Sequence, residues 1–365
     1  MSSPTSSPIS GAMIVREATW RDRQYWDEYV LNHQDESPYH LFAWREAIEQ
    51  AYHFSCHCLL AEDRSGIKGG FPIALVRFPW GKGTYISLPF CDFGGVIADE
   101  PRVALELIRR ATDWIGSPQG RLFEMRSPTP LSDLDQDAFR LSSKVRMVMD
   151  LPHGSEALFS GFKSKLRSQI RKPQRDGLTT ENGGAELLNA FYRVLSRNMR
   201  DLGSPVHSRK WFRTLLEGYG ERMRIFLVRM PDKQPAAAGI MLCTKRSVTV
   251  PWASSLRELN RWNPNMLLYW TMIAYAADGG WQRFDFGRST PGEGTWKFKQ
   301  QWGARPAPLY WGRFRVRGTK WSVRAAVDES STGRRGRAIA EGLIRKLPVS
   351  WATFLGSRVR RYISL

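Results

Sequence analysis

The feature that most restricts how this chain can fold is an internal duplication. Ser37-Pro38-Tyr39-His40 followed by Trp44 recurs as Ser204-Pro205-Val206-His207 followed by Trp211, an offset of 167 residues. Arg121-Leu-Phe-Glu-Met-Arg126-Ser127 recurs as Arg283-Phe-Asp-Phe-Gly-Arg288-Ser289, an offset of 162. Two anchors in the same order at nearly equal offsets predict a tandem domain duplication, and 365 residues leave room for about two domains of roughly 150.

Between the anchors the two halves carry the same pattern. Each Trp opens a helical spacing: Trp44, Ile48 and Tyr52, then Trp211, Leu215 and Tyr219. In the first half strands are expected at Ser55 to Ala61, Phe71 to Phe78 and Thr84 to Leu88, then a helix at Arg102 to Ile115 and a strand at Arg121 to Arg126. In the second, strands are expected at Arg224 to Arg229, Ala237 to Thr244 and Ser247 to Trp252, a helix at Asn265 to Ala277 and a strand at Trp281 to Phe286. This order predicts an α/β (α+β) chain of two tandem acetyltransferase-like (GNAT) domains, each a mixed, mostly antiparallel sheet flanked by helices and splayed to leave a cleft. The expected division is a disordered Ser/Pro leader over 1–12, domains at 13–150 and 151–315, and a basic, partly helical tail over 316–365.

Lys plus Arg number 54 against 35 Asp plus Glu, a formal +19, so the expected partner is anionic: a phosphate-bearing substrate, tRNA, or an anionic membrane surface. Hydrophobic residues at 42% and charged residues at 24% exclude a mainly disordered chain. No signal peptide and no apolar run of spanning length is visible, and four cysteines are too few for a disulfide scaffold. The expectation is a cytoplasmic protein, with peripheral contact at the inner membrane through the tail.

Four strings together resemble the FemAB-like proteins found with bacterial exosortase (PEP-CTERM) and exopolysaccharide loci. They are Leu88-Pro-Phe-Cys-Asp92-Phe-Gly-Gly95, Phe162-Lys-Ser-Lys-Leu-Arg-Ser-Gln-Ile-Arg-Lys-Pro173, Asn198-Met-Arg-Asp-Leu-Gly-Ser-Pro-Val-His-Ser208 and Phe284-Asp-Phe-Gly-Arg-Ser-Thr-Pro-Gly-Glu-Gly-Thr-Trp-Lys-Phe-Lys-Gln-Gln-Trp-Gly303. The resemblance covers roughly Ile14 to Phe314. It implies tandem acetyltransferase-like domains and a transferase that moves an acyl or aminoacyl group, from aminoacyl-tRNA in the wider family, onto an amine of a cell-envelope precursor.

Read by themselves, the residues give candidate groups for that chemistry. Lys163, Arg167 and Arg171 recur at every fourth position beside an apolar face of Phe159, Phe162, Leu166 and Ile170, and with Lys172 they form a candidate phosphate clamp. Pro173 is expected to end that helix. Asp285 is the candidate base, with Asp92 as a second carboxylate, Lys297 or Lys299 as oxyanion or phosphate partner, and Arg288 and Trp252 as substrate contacts. The competing structural reading pairs Asp285 with Arg288. Cys56 and Cys58 alternate as on a strand and lack metal-site spacing, so no metal and no bound cofactor is expected. An Arg/Gln-x-x-Gly-x-Gly/Ala loop for an acyl-CoA pyrophosphate is absent: Arg77-x3-Gly81-Lys-Gly83 and Arg288-x3-Gly292-Glu-Gly294 have one spacer too many, and Trp252 to Asn265 has no glycine. Aminoacyl-tRNA is therefore favoured over acyl-CoA as donor. A non-catalytic module binding nucleic acid or membrane on the same fold is the reading from another class.

Overall fold

The computed structural model describes residues 13–77, 83–116, 121–130, 140–317, 320–323 and 331–363. The Ser/Pro leader and the Gly81 of the first loop string lie outside the described residues. The first half runs β1 (Ile14–Glu17), α1 (Arg23–Asn32), α2 (Phe42–Tyr52), β2 (Ser55–Asp63), β3 (Gly66–Val76), β4 (Thr84–Ile86), β5 (Ile97–Ala98), α3 (Pro101–Ile115), β6 (Arg121–Ser127), β7 (Arg140–Leu141) and β8 (Val145–Asp150). The second runs α4 (Ser155–Gly161), α5 (Ser164–Arg175), β9 (Thr179–Gly183), α6 (Leu188–Leu202), α7 (Arg209–Tyr219), β10 (Met223–Arg229), β11 (Pro235–Cys243), β12 (Ser247–Ser255), α8 (Pro264–Asp278), β13 (Arg283–Ser289), α9 (Gly294–Gln300), β14 (Arg305–Ala307) and β15 (Tyr310–Arg317). β16 (Lys320–Val323), α10 (Ser331–Lys346) and α11 (Val349–Val359) follow.

Two mixed, mostly antiparallel sheets result, each flanked by helices. The first has the order β1-β2-β3-β4-β6-β15-β16, with β5 on β3 and β7 on β15; the second is β14-β8-β13-β12-β11-β10-β9. Sheet membership crosses the boundaries expected near 150 and 316. β8, from the first half, lies against β13 with Val148 opposite Asp285, and β15, from the second, lies against β6 with Phe314 opposite Phe123. The two halves thus exchange their last strands reciprocally. The exchange is repeated at the duplicated motifs: the Tyr52 hydroxyl meets His207 Nδ1 at 2.6 Å, and the Tyr219 hydroxyl donates to the Pro38 carbonyl at 2.5 Å. Trp44 and Trp211 meet edge to face at 5.2 Å, both fully buried where α2 packs on α7.

Three local expectations differ from the structure. The strand placed at Phe71 begins at Gly66, because Asp63 Oδ1 accepts the Ser65 amide at 2.7 Å and Gly66, at φ +123°, closes a tight turn directly into the strand. The apolar face from Phe159 to Ile170 is not one helix. Phe162 has extended backbone and divides α4 from α5, although Phe159 and Phe162 still pack on Trp270. Pro173 does not end α5, which continues to Arg175. Its ring is buried on the same face as Leu166 and Ile170, so packing offsets the lost amide donor. Among the described residues no helix is long and apolar enough to cross a membrane.

Candidate active site

In both sheets a short parallel pairing opens into a gap. β12 and β13 pair only at Ser247–Thr249 with Arg283–Asp285, and β4 and β6 only at Thr84–Ile86 with Leu122–Glu124. Beyond Ile86 the 87–95 loop closes the first gap, with the Ser87 amide donating to the Glu124 carbonyl at 2.9 Å and that of Gly94 to Arg126 at 3.2 Å. The same loop supplies the second sheet. Asp92 Oδ2 accepts the Arg288 amide at 3.1 Å, and Asp92 Oδ1 lies 3.4 Å from Arg288 Nε.

β13 bulges where this happens, between Asp285 and Arg288. Gly287 sits at φ +72°, and a Cβ there would lie 3.2 Å from the Val250 carbonyl, so a side chain would be strained twice over. Asp285 Oδ1 accepts the Gly287 amide at 2.8 Å, while Oδ2 takes Arg146 Nε at 2.8 Å and Nη2 at 2.7 Å. Asp285 therefore pairs with Arg146 of the exchanged strand, and Arg288 with Asp92. The pairing of Asp285 with Arg288 read from the sequence does not form, because the bulge separates their side chains. Lys299, on α9, is buried and donates to the carbonyls of Gly287 at 3.0 Å and Arg288 at 2.8 Å. Burial pushes its ammonium down to about 8, against the pull of Asp285 and Asp92. Burial likewise raises Asp92, with Arg288 opposing and Asp285 adding to the rise.

Around this pair stand groups that are not among the candidate site residues, although Tyr39 and Arg126 lie in the repeated strings. Tyr39 is buried against Phe93, and burial, with Asp92 and Asp285 adding, holds its phenol protonated. Arg126, fully buried, pairs with Glu124 at 2.5 Å and donates to the Cys91 carbonyl at 3.1 Å. Trp311 of β15 donates its indole N–H to the Asp92 carbonyl at 3.1 Å, with Arg126 and Arg288 at 5.4 and 5.6 Å from its ring. Arg360 reaches in from beyond α11, stacks over Phe90 at 5.6 Å and donates to the Ile363 carbonyl. Burial and the neighbouring Arg288 and Arg126 push it down to about 10, although Tyr52 opposes. Among the described residues five buried or half-buried cations, Arg126, Arg146, Arg288, Lys299 and Arg360, thus surround three carboxylates, Glu124, Asp92 and Asp285, and the exposed Arg313 adds a sixth on Glu124 at 3.0 Å.

The remaining candidates lie elsewhere. Lys297 is exposed on α9. Trp252 stacks on Trp44 at 6.0 Å and meets Phe212 edge-on at 5.0 Å, in the aromatic cluster that also holds His207. His207 is buried and kept neutral by burial, and its Nε2, like the Trp211 indole nitrogen, has no hydrogen-bond partner. The clamp on α5 is dispersed: Arg167 donates to the Ser160 carbonyl at 3.1 Å, Arg171 stacks over Phe159 at 5.0 Å, and Lys172 pairs with Asp176 at 2.5 Å. Lys163 lines a groove of about 690 Å³ with Phe162, Gln300 and Trp302. Cys56, Cys58, Cys91 and Cys243 are buried free thiols, each pushed up by burial. Arg126 stood in the repeated string; Arg146 and Arg360 carry no signal a sequence could offer.

A family model described as an acetyltransferase (GNAT) domain matches residues 160–300. No curated protein sequence matches the chain. Among solved structures, FemX superposes with a TM-score of 0.64 at 14% identity, over 81% of this chain and 96% of that one. The fold is that of tandem GNAT domains. The C-terminal domain of a putative lysylphosphatidylglycerol synthetase from Agrobacterium fabrum follows at 0.55 and 14% identity, covering 80% and 91%. A tandem GNAT protein from the clavulanic acid biosynthesis pathway gives 0.50 at 9% identity, covering 84% and 99%. At these identities the likeness is one of fold.

Proposed function

We propose that this protein is an acyltransferase that forms an amide between an activated donor, aminoacyl-tRNA in the first place, and an amine of a cell-envelope or exopolysaccharide precursor, as its resemblance to FemAB-like proteins implies. The observation that carries this reading is the excess of cations at the junction of the two sheets. Gathering these cations around three carboxylates costs desolvation and repulsion that an anionic substrate would offset. The region that would cradle a CoA pyrophosphate supports the choice of donor. Between β12 and α8 the chain has no glycine, and its amides are spent internally, Leu259 on Leu256, Asn263 on Asn260 and Met266 on Asn263.

In the reaction the amine nitrogen attacks the ester carbonyl, a C–N bond forms, and the C–O bond to the ribose breaks. Asp92, with its raised proton affinity and part exposure, takes the proton the amine loses, and the departing ribose oxygen receives one. Lys299 stands beside the bulge to balance the oxyanion, Arg288 and Arg360 hold the anionic part of the substrate, and Asp285 aligns Arg146. Lys297, Lys163 and Arg171, all exposed, offer charge to the phosphates of a tRNA; Trp252 gives an aromatic wall. The site of action is the cytoplasm, where aminoacyl-tRNA is made.

The test is the purified full chain with labelled aminoacyl-tRNA or labelled acetyl-CoA and an amine acceptor. Labelled amide from aminoacyl-tRNA is expected, with Asp92→Asn lowering kcat about 100- to 10,000-fold. Product from acetyl-CoA alone would replace the donor. Binding of tRNA without turnover would reduce the protein to a binding module.

A further inference from the structure

Of the two C-terminal helices, α11 turns small residues inward, and both turn large apolar ones outward. α10 and α11 are joined by Leu347 and Pro348, and both pack on α6. The contacts that seat them use the absence of side chains: a Cβ on Gly203 would fall 2.6 Å from the Glu341 carbonyl, and one on Gly356 would fall 3.0 Å from the Val206 amide. Ala352 is buried in the same contact, and Arg345 donates to the Leu202 carbonyl at 3.2 Å.

The opposite side is open. Ile339, Leu343, Trp351, Phe354, Leu355 and Val359 are between 44% and 65% exposed, and they are six of the thirteen large apolar side chains that the described residues leave to solvent. Single exposed apolar residues are ordinary, but a concentration of this kind on one helical pair marks a surface with a partner. The exposed cations Arg345, Lys346 and Arg358 are interleaved with it, Arg358 lying 3.5 Å over the Phe354 ring. Glu341 is the one acid between 331 and 365, against eight Lys and Arg.

We propose that this face docks on an anionic lipid surface, with Trp351, Phe354, Leu355, Ile339 and Leu343 in the headgroup boundary and the arginines and lysine against lipid phosphates. A second copy of the chain would cover the same apolar area only by setting these cations against their own duplicates; a negatively charged bilayer satisfies both. α11 also leads directly into the turn that carries Arg360. Where the transferase reading holds, docking therefore places the junction of the sheets within one short helix of lipid-linked acceptors.

The test needs no turnover, so it stands apart from the transferase assay. The full chain is sedimented at low and high salt with vesicles of phosphatidylcholine, alone or mixed with phosphatidylglycerol. It is expected to pellet with the anionic vesicles at low salt. The combined Trp351→Ser, Phe354→Ser, Leu355→Ser variant should lose at least about tenfold in partitioning, as expected when bulky side chains leave the interface. Trp20→Ser, which removes a 76% exposed Trp from the first half, should pellet like the parent. Should the triple variant fail to fold by circular dichroism, Lys346→Gln with Arg358→Gln replaces it, and a flatter salt dependence is expected. Failure of the parent to bind anionic vesicles, equal binding of parent and variant, or a dimer in light scattering that the variant abolishes in place of vesicle binding would overturn the proposal.

Discussion

Lys299 shows how one buried amine joins stability to the geometry of the site. Its two carbonyl acceptors hold the bulge of β13 open, yet burial lowers its proton affinity from the ordinary 10.5 to about 8. Between those values the unfolded chain binds the proton more tightly than the folded one, so stability rises with pH from about 8 to about 10.5 and the charged form is a burden below 8. Lys299→Met removes this dependence. In urea unfolding at a series of pH values, the parent should gain on the variant across that window with a slope approaching 1.4 kcal/mol per pH unit, about the value for one proton. An unchanging difference would mean that water reaches the amine.

At the scale of elements the reciprocal exchange of β8 and β15 decides where a mutation is felt. Phe314 is 2% exposed, and although it follows all of the second sheet in sequence, it packs on Phe123 of the first. Phe314→Ala should cost about 3–5 kcal/mol in urea unfolding. Hydrogen exchange should place the loss: amides of Arg121–Ser127 become less protected while those of Arg283–Ser289 keep their protection. The reverse pattern would contradict the strand order. The exchange also explains the two ion pairs that flank the junction, because β8 brings Arg146 to Asp285 and β15 brings Arg313 to Glu124, at 3.0 Å.

For the whole molecule the exchange means that neither half has a complete sheet of its own. A chain of residues 13–152 lacks β15 and carries β8 with nothing to pair it, and residues 153–363 have the converse defect. The two fragments are expected to lack cooperative unfolding when expressed separately and to copurify when expressed together, read by thermal melts and affinity pull-down. A fragment that melts cooperatively alone would show that the exchanged strand is dispensable. Burial on both sides of the junction supports the expectation: Trp44, Trp211, Tyr52 and Tyr219 are all nine-tenths or more buried, and each half would expose its share of them.

The amino-acid sequence alone determined the duplication and most of the strands and helices between its anchors, since strand and helix periodicities are local and the repeated Ser-Pro-x-His and Arg-x4-Arg-Ser strings preserve their order; the exchanged strands β8 and β15 were not among them. It also singled out Asp92, Asp285, Arg288 and Lys299, which the fold brings together. Only the tertiary structure decided their partners. Asp92 meets Arg288 across 196 residues and Asp285 meets Arg146 across 139, both through strands or loops that leave their own half. Local pattern holds no record of such pairings. A bulge at Gly287 turns neighbouring side chains to different partners, and a strand's alternation says which face is buried but not which sheet receives it.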